Sequence, residues 1–205
     1  MKYTIDNAIK EVKTNSKEKF DATVEIHINL DLEKGQSVRF ITTLPHGTGK
    51  TKKIAVFASE KVEGADIELT ESDIDKIAKG KIVVGKDFDV LVTEPRFMSK
   101  IAKVASILGP AGAMPNPKSG TVTENVAEAV KNLKLGQIEV RTEANAPLIH
   151  SIAGKVSWEK AKLSENIETF MKSLRQNKPA KTFPKWIKSA FIKSSMGKAY
   201  EINLE

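Results

Sequence analysis

Apolar residues recur along the chain with two different periods. In TIDNAIKEVK (4–13), Ile5, Ala8, Ile9 and Val12 fall at i, i+3, i+4 and i+7, which puts them on one face of a helix. TVEIHINL (23–30) alternates Val24, Ile26, Ile28 and Leu30 with polar residues, the period of a strand with one buried face. SVRFITTL (37–44) is β-branched and aromatic enough to be its partner, with residues 33–35 as the turn. From residue 53 the pattern changes. KIAVFA (53–58) and FDVLVT (88–93) are short and continuously apolar, as strands covered on both faces are. Between them, IELTESDIDKIAKG reads as a strand end and then a helix started by Thr70 or Ser72. RFMSKIAKVASILG predicts a helix with Met98, Ile101, Ala105 and Leu108 inward, stopped by Gly109 and Pro110. TENVAEAVKNLKLG predicts another, with Val126, Ala129, Val130 and Leu133 inward and Gly136 at its end. IEVRTE (138–143) is the next strand, and this alternation suits an α/β layer domain. Beyond Asn145 the period of two returns in LIHSIAGKV (148–156). A helix over 164–176 follows, with Ile167, Phe170, Met171 and Leu174 inward, and two short strands then flank a Ser-Met-Gly turn.

Charge divides the same chain differently. Overall, 33 Lys and Arg face 26 Asp and Glu, a net of +7. Residues 54–140 hold 11 basic and 13 acidic side chains, whereas 1–53 and 141–205 together hold 22 and 13. A near-neutral middle interrupts a basic remainder. The economical reading is one basic domain built from both ends, 1–53 plus 141–205, with an α/β domain, 54–140, inserted between them. A single domain with uneven surface charge is the alternative. The basic part suits a polyanionic partner. Chain crossings near 52–54 and 141–145 make Lys52, Lys53, Ile54, Arg141 and Thr142 candidate hinge positions.

Several chemistries drop out. Without cysteine there is no disulfide, thiolate metal site or cysteine nucleophile. His27, His46 and His150 lack metal-binding spacing, so no metal or cofactor is expected. No apolar run approaches the ~20 residues of a membrane helix, and the polar N-terminus does not read as a secretory signal. The expectation is a cytoplasmic chain with no membrane partner.

The segment LPHGTGKT (44–51) raises a competing reading, a P-loop-like nucleotide-dependent enzyme using GTGKT. A P-loop starts with a glycine that lets backbone N–H groups curl around phosphate. Here Leu44 holds that place, Pro45 removes a donor, and Thr51 leads through two lysines into a strand where a P-loop opens a helix. The second glycine-rich segment, LGPAGAMPNPKSGTVT (108–123), has no G-x-G-x-x-G, and its prolines make a stiff loop between two predicted helices.

Together LPHGTGK, LGPAGAMPNPKSGTVTENVAEAVKN and the terminal SSMG resemble the ribosomal protein L1 (uL1) family in its bacterial form. FDATVEIHINL and IHSIAGKV fit the same alignment, which runs from about residue 4 to residue 203. The resemblance implies an α+β domain I from both termini with an inserted three-layer, Rossmann-like α/β domain II. It implies a non-enzymatic protein that binds large-subunit rRNA at the L1 stalk, contacts E-site tRNA and assists its release. It also implies repression of translation through a hairpin in the mRNA of its own operon, and a monomer off the ribosome.

The family's RNA surface maps onto Lys19, Phe20 and Thr23 before and at the head of the first long strand, and onto Ser194, Ser195, Met196 and Gly197 in the last turn, with His150 and Lys155 flanking. Ser195 stands where the family usually has Thr and keeps the hydroxyl. The residue types suit RNA: hydroxyls engage phosphates and 2′-OH groups, Met196 and Phe20 pack on sugar or base, and glycine permits close approach. Pro115, Asn116, Pro117 and Lys118 form the tRNA-facing loop that the resemblance implies. Ala111 and Ala113 replace the usual Arg and larger apolar residue there, which weakens the expectation of tRNA contact relative to rRNA. The basic N-terminal helix of many relatives does not precede residue 4, so lower nonspecific RNA affinity is expected.

Overall fold

The computed structural model describes residues 2–33, 35–59, 61–143, 146–179 and 185–204. In chain order its main elements are α1 (Ile5–Asn15), β1 (Thr23–Leu30), β2 (Arg39–Thr43), β3 (Ile54–Phe57), β4 (Ile67–Glu68), α2 (Glu71–Ala78), β5 (Val90–Thr93), α3 (Met98–Ile101), α4 (Ala105–Leu108), α5 (Val126–Lys134), β6 (Gln137–Arg141), β7 (Leu148–Lys155), α6 (Lys160–Gln176), β8 (Ile187–Ser194) and β9 (Tyr200–Ile202). The chain divides into two compact units, one of residues 1–50 and 135–205, the other of 51–134.

The first unit is built on an antiparallel sheet of order β7-β1-β8-β9. Alternation along β1 buries Val24, Ile26, Ile28 and Leu30 against α1 and α6, which contribute Ala8, Ile9, Val12, Leu163, Ile167, Phe170 and Leu174 to one core. Burying each such large side chain contributes about 1.5–3 kcal/mol. The sheet's other face carries Thr23, Glu25, His27 and Asn29, and among the described residues no helix of the core packs on it.

The expected pairing of 37–44 with 23–30 is not what forms. Both edges of β1 are taken, by β7 and β8, so β2 pairs instead with β6, from Arg39 opposite Arg141 to Thr43 opposite Gln137. Periodicity identifies the face a strand buries, and it carries no information about the partner. Of the expected turn at 33–35, Lys34 lies outside the described residues. The same pairing assigns β6 to the first unit, and the second crossing lies between Lys134 and Leu135 rather than near residue 141.

The second unit has a parallel sheet of order β4-β3-β5. Ala55, Phe57 and Leu91 point to one side, against α2, α3 and α4; Ile54, Val56 and Val92 point to the other, against α5. This makes three layers, an α/β fold whose strands β3 and β5 are covered on both faces as the sequence predicts. The single helix expected over 97–109 is a series of short turns: 3₁₀ at Pro95–Phe97, α3, 3₁₀ at Ala102–Val104, then α4. The tighter 3₁₀ turn brings Val104 inward in place of Ala105, alongside Ile101 and Leu108. α6 starts at Lys160, four residues earlier than periodicity suggests.

Candidate nucleic-acid interface

Residues before β1 and after β8 meet at one end of the first unit's sheet. Val24 stands opposite Ser194, and Ser195 N–H extends the ladder by donating to Thr23 O at 2.9 Å. The turn that follows is tight. Met196 has a positive φ of 66°, and a Cβ on Gly197 would fall 2.1 Å from Ser194 Oγ. Ser194 itself is buried on the covered side, its hydroxyl donating to Glu18 Oε1 at 3.4 Å, so the resemblance-derived site divides: Ser195 and Met196 are presented, Ser194 supports them. The Ser16 hydroxyl beside Glu18, its own backbone N–H and Ser194 hold the Glu18 carboxyl below its ordinary range.

Phe20 and Met196 are 56% and 87% exposed, which is unusual for side chains this large and apolar. Lys19 is exposed beside Phe20. Across the ladder, Thr23 stands opposite Lys155, whose ammonium donates to Thr23 Oγ1 at 3.0 Å and to Asp21 O at 3.3 Å. Asp21 in turn accepts from Ser157 N and Oγ at 3.0 and 2.9 Å, which ties the segment before β1 to the end of β7. On β7, Ile152 stands opposite Glu25 and is also exposed.

Glu25 joins these groups, and sequence reasoning missed it. Its carboxylate accepts from Ser195 Oγ at 2.7 Å, lies 3.4 Å from Lys193 Nζ and 3.2 Å from His27 Nε2. Burial pushes this carboxyl up, but the Ser195 hydroxyl, Lys193 and His27 together hold it below the ordinary range, so it stays ionised. His27 continues the network to His150 on β7. The signal was available in the alternation of TVEIHINL, which places Glu25 and His27 on the same face as Thr23.

A buried polar anchor, Asn166 on α6, was also missed. Its amide donates to Gly47 O at 2.9 Å and Ala153 O at 2.7 Å and accepts from His46 N at 3.1 Å. It thereby holds the PHGTG turn. Gly47 and Gly136 pack back to back with positive φ, a Cβ on Gly136 lying 2.4 Å from Gly47 Cα, and Gly49 has its α-carbon against Lys155 and Trp158. β3, a strand, follows Thr51. The glycines serve close backbone packing.

Of the candidate hinge residues, Lys52, Lys53 and Ile54 fall at the entry to the second unit, with Ile54 buried in β3. Arg141 lies within β6, and Thr142 is buried and accepts from Val38 N at 3.3 Å, so these two are held inside the first unit. Ala144 and Asn145, at the end of the expected crossing, lie outside the described residues.

The proline-rich loop of the second unit is ordered by its own hydrogen bonds. Thr121 Oγ1 accepts from Asn116 N at 2.8 Å, Asn116 Oδ1 accepts from Lys118 N at 2.9 Å, and Thr93 N donates to Thr121 O at 2.9 Å. Pro115 is buried, Asn116 braces the turn, and Pro117 and Lys118 face outward. The loop runs past the carboxyl end of β5, where open α/β sheets commonly present ligand contacts. Among the described residues no three His, Asp or Glu side chains converge as a metal site, and no helix is long and apolar enough to cross a membrane.

The model of the ribosomal protein L1p/L10e family matches residues 12–198. Proteins named large ribosomal subunit protein uL1 are similar along nearly the whole chain: that of Fervidobacterium nodosum is 43% identical over 98% of this chain and 88% of its own length. Those of Phytoplasma australiense and Prochlorococcus marinus are 43% and 39% identical, over 98% and 96% of this chain and 90% and 86% of theirs. The chain belongs to the ribosomal protein L1 family.

Proposed function

We propose that this chain is a component of the large ribosomal subunit that binds its rRNA through the first unit. The observation that carries this reading is the exposed pair Phe20 and Met196 beside the hydroxyls of Thr23 and Ser195, at the end of a sheet in the more basic unit. Exposed apolar side chains next to hydroxyls and lysines can stack on bases and engage 2′-OH and phosphate groups, the combination by which RNA is distinguished. Lys19 supplies a phosphate contact, and Lys155 holds Thr23 in place. The rRNA site is the L1 stalk; a hairpin of like shape in the chain's own operon mRNA occupies the same surface and represses translation. Pro117 and Lys118 on the second unit's loop meet E-site tRNA and assist its release. The protein acts in the cytoplasm, on the ribosome, as a binding protein with no catalytic step.

The test is a salt titration of binding to a synthetic L1-stalk hairpin and to an unrelated hairpin of equal length. Affinity for the stalk hairpin is expected to exceed the other at every salt concentration and to fall linearly on a logarithmic plot. Lys19→Ala is expected to reduce the slope by about 1, while Phe20→Ala costs about 1–3 kcal/mol of binding, the scale of a lost base stack. Equal affinity for the two hairpins would refute specific recognition.

A further inference from the structure

At the far end of the first unit's sheet from the Ser195–Gly197 turn lies a cleft of about 400 Å³. The last turn of α6, the start of β8, the end of β9 and residue 2 form it. Buried Trp186 and partly buried Leu204 give it an apolar lining, and Lys2, Arg175, Lys185 and Lys188, all exposed, give it a charged one. Its described lining residues include no carboxylate. A second cleft, of about 450 Å³, adjoins it: Arg175 and Asn203 line both, and Lys172 adds a further ammonium. Arg175 Nη2 donates to Leu204 O, which fixes the guanidinium at the junction and leaves its other donors for a ligand.

The carboxylates nearby do not neutralise this charge. Asp31 lies 3.0 Å from Lys188 and Glu201 lies 3.4 Å from Lys2, both in solvent-exposed pairs of the kind that contribute little. Glu168 lines only the second cleft, and Glu205 lies outside the described residues. Among the described residues no carboxylate pairs with Lys172, Arg175 or Lys185. The β9 edge beside the cleft is closed to an added peptide strand, because Tyr3 N donates to Glu201 O and Asn203 N to Tyr3 O. Several cations without a free strand edge suit phosphate groups better than a peptide backbone.

The interface at Phe20 and Met196 does not draw on these cations. Seven steps along β8, from Ile187 to Ser194, at about 3.3 Å each, put the cleft about 23 Å from that turn. The distance spans about seven phosphates along one strand of a duplex. We infer that this cleft is a second phosphate-binding site, in which Arg175, Lys185 and Lys188 hold the backbone of an RNA segment that continues beyond the stalk hairpin. This rests on the RNA-binding reading of the first unit. It adds contacts that position the RNA and read no base.

Fluorescence anisotropy with the full chain, from about 50 to about 200 mM salt, tests it on two RNAs. One is a minimal synthetic stalk hairpin, the other the same hairpin with its stem lengthened by about ten base pairs, enough to cover the separation. The double variant Lys185→Gln, Lys188→Gln is expected to reduce the salt slope for the longer RNA by about 2 and to leave that of the minimal hairpin unchanged. Arg175→Lys, which keeps the charge and loses the planar fork, should weaken the longer RNA alone. Lys103→Gln with Lys131→Gln, which removes the same charge from exposed positions of the second unit, should alter neither slope. Equal slope losses on both RNAs, or the same loss in that control pair, would assign the effect to net charge and overturn the cleft. An unchanged slope on the longer RNA overturns it too; if poly-glutamate then binds the parent and not the Lys185, Lys188 variant, the cleft takes an acidic protein segment instead. Each of these results leaves the RNA reading standing while the parent still prefers the stalk hairpin to an unrelated one. Loss of that preference in the parent overturns both.

Discussion

Met196 holds a backbone conformation that a non-glycine residue adopts at a cost of roughly 1–2 kcal/mol. It is also 87% exposed, so its side chain contributes almost no burial to offset that strain. A residue that strains the fold and stabilises nothing in it is one whose value lies in what it touches outside the chain. Met196→Gly is therefore expected to leave stability unchanged or raise it by up to about 1 kcal/mol, after the added freedom of glycine in the unfolded chain. The same substitution should weaken stalk-hairpin binding by about 1–3 kcal/mol. Urea unfolding and anisotropy on the same protein check both; a fall in stability, or unchanged affinity, would remove Met196 from the interface. Gly197 differs, because a Cβ there strikes Ser194 Oγ and distorts the turn itself. Asn166 shows the opposite kind of residue. Asn166→Ala would leave His46 N, Gly47 O and Ala153 O without their partner, and an expected loss of about 2–4 kcal/mol follows from uncompensated buried polar groups. A melting-temperature change too small to match would mean that the turn rearranges. The family resemblance singles out Met196 and Gly197, and the structure shows the tight turn they form, while nothing in the sequence marks Asn166. A single polar residue inside the stripe Leu163, Ile167, Phe170 gives no sign of which backbone groups it serves.

Elements were legible in proportion to how local their causes are. α1, α5 and β1 follow from their own spacing, and the buried positions in each are those the periodicity predicts, except that Ile5 at the start of α1 is only partly buried. β2 departs from its expected pairing with β1 because its partner, β6, lies almost a hundred residues away, a separation no local pattern encodes. The run from Pro95 to Leu108 shows a finer limit, since α and 3₁₀ turns bury nearly the same residues and differ only in how tightly they wind. α2 is different, because its start is chemically marked. The Asp73 carboxylate accepts from Thr70 N at 2.8 Å and from Thr70 Oγ1 at 2.6 Å, and receives Lys76 Nζ at 2.7 Å. Lys76, then Thr70, lower its pKa from 3.8 to about 2. A carboxyl depressed in this way contributes stability above its unfolded pKa and loses it as pH falls toward the folded value. Asp73→Asn should thus cost about 0.5–2 kcal/mol at neutral pH, the range for a lost helix cap. The difference from the parent should shrink between the two pKa values, from 3.8 down toward about 2. Urea midpoints compared at neutral and acid pH test it; a difference independent of pH would assign the effect to something other than ionisation.

At the scale of the whole molecule, charge partition and packing give compatible but unequal divisions. With the crossings after Lys50 and after Lys134, the first unit holds 20 basic and 14 acidic residues and the second 13 and 12. The asymmetry survives the changed boundaries, although Lys52 and Lys53 move into the second unit and reduce it. Packing is the sharper criterion. Every apolar residue of the first unit's core comes from 1–50 or 135–205, and every one in the second unit's two clusters from 51–134. Among the described residues neither core borrows a side chain from the other, so each carries its own burial. The chain ends left by removing 51–134 are also close. Gly47 packs on Gly136, Leu44 N donates to Gly136 O at 3.3 Å, and Lys50 is three residues beyond Gly47. Three residues span at most about 11 Å, so the gap from Lys50 to Leu135 is no more than about 18 Å. A Gly-Ser linker of about eight residues has a root-mean-square reach near 16 Å and can close it. The chain so joined is expected to unfold cooperatively in urea and to bind the stalk hairpin within about tenfold of the full chain, with a similar salt slope, because Lys19, Phe20, Thr23, Ser195 and Met196 all remain. Cooperative unfolding combined with a much larger loss of affinity would show that the second unit supplies part of the rRNA contact. In that case RNA binding would have to be sought on both units, and the exposed Lys118 of the proline-rich loop would be the first residue to replace.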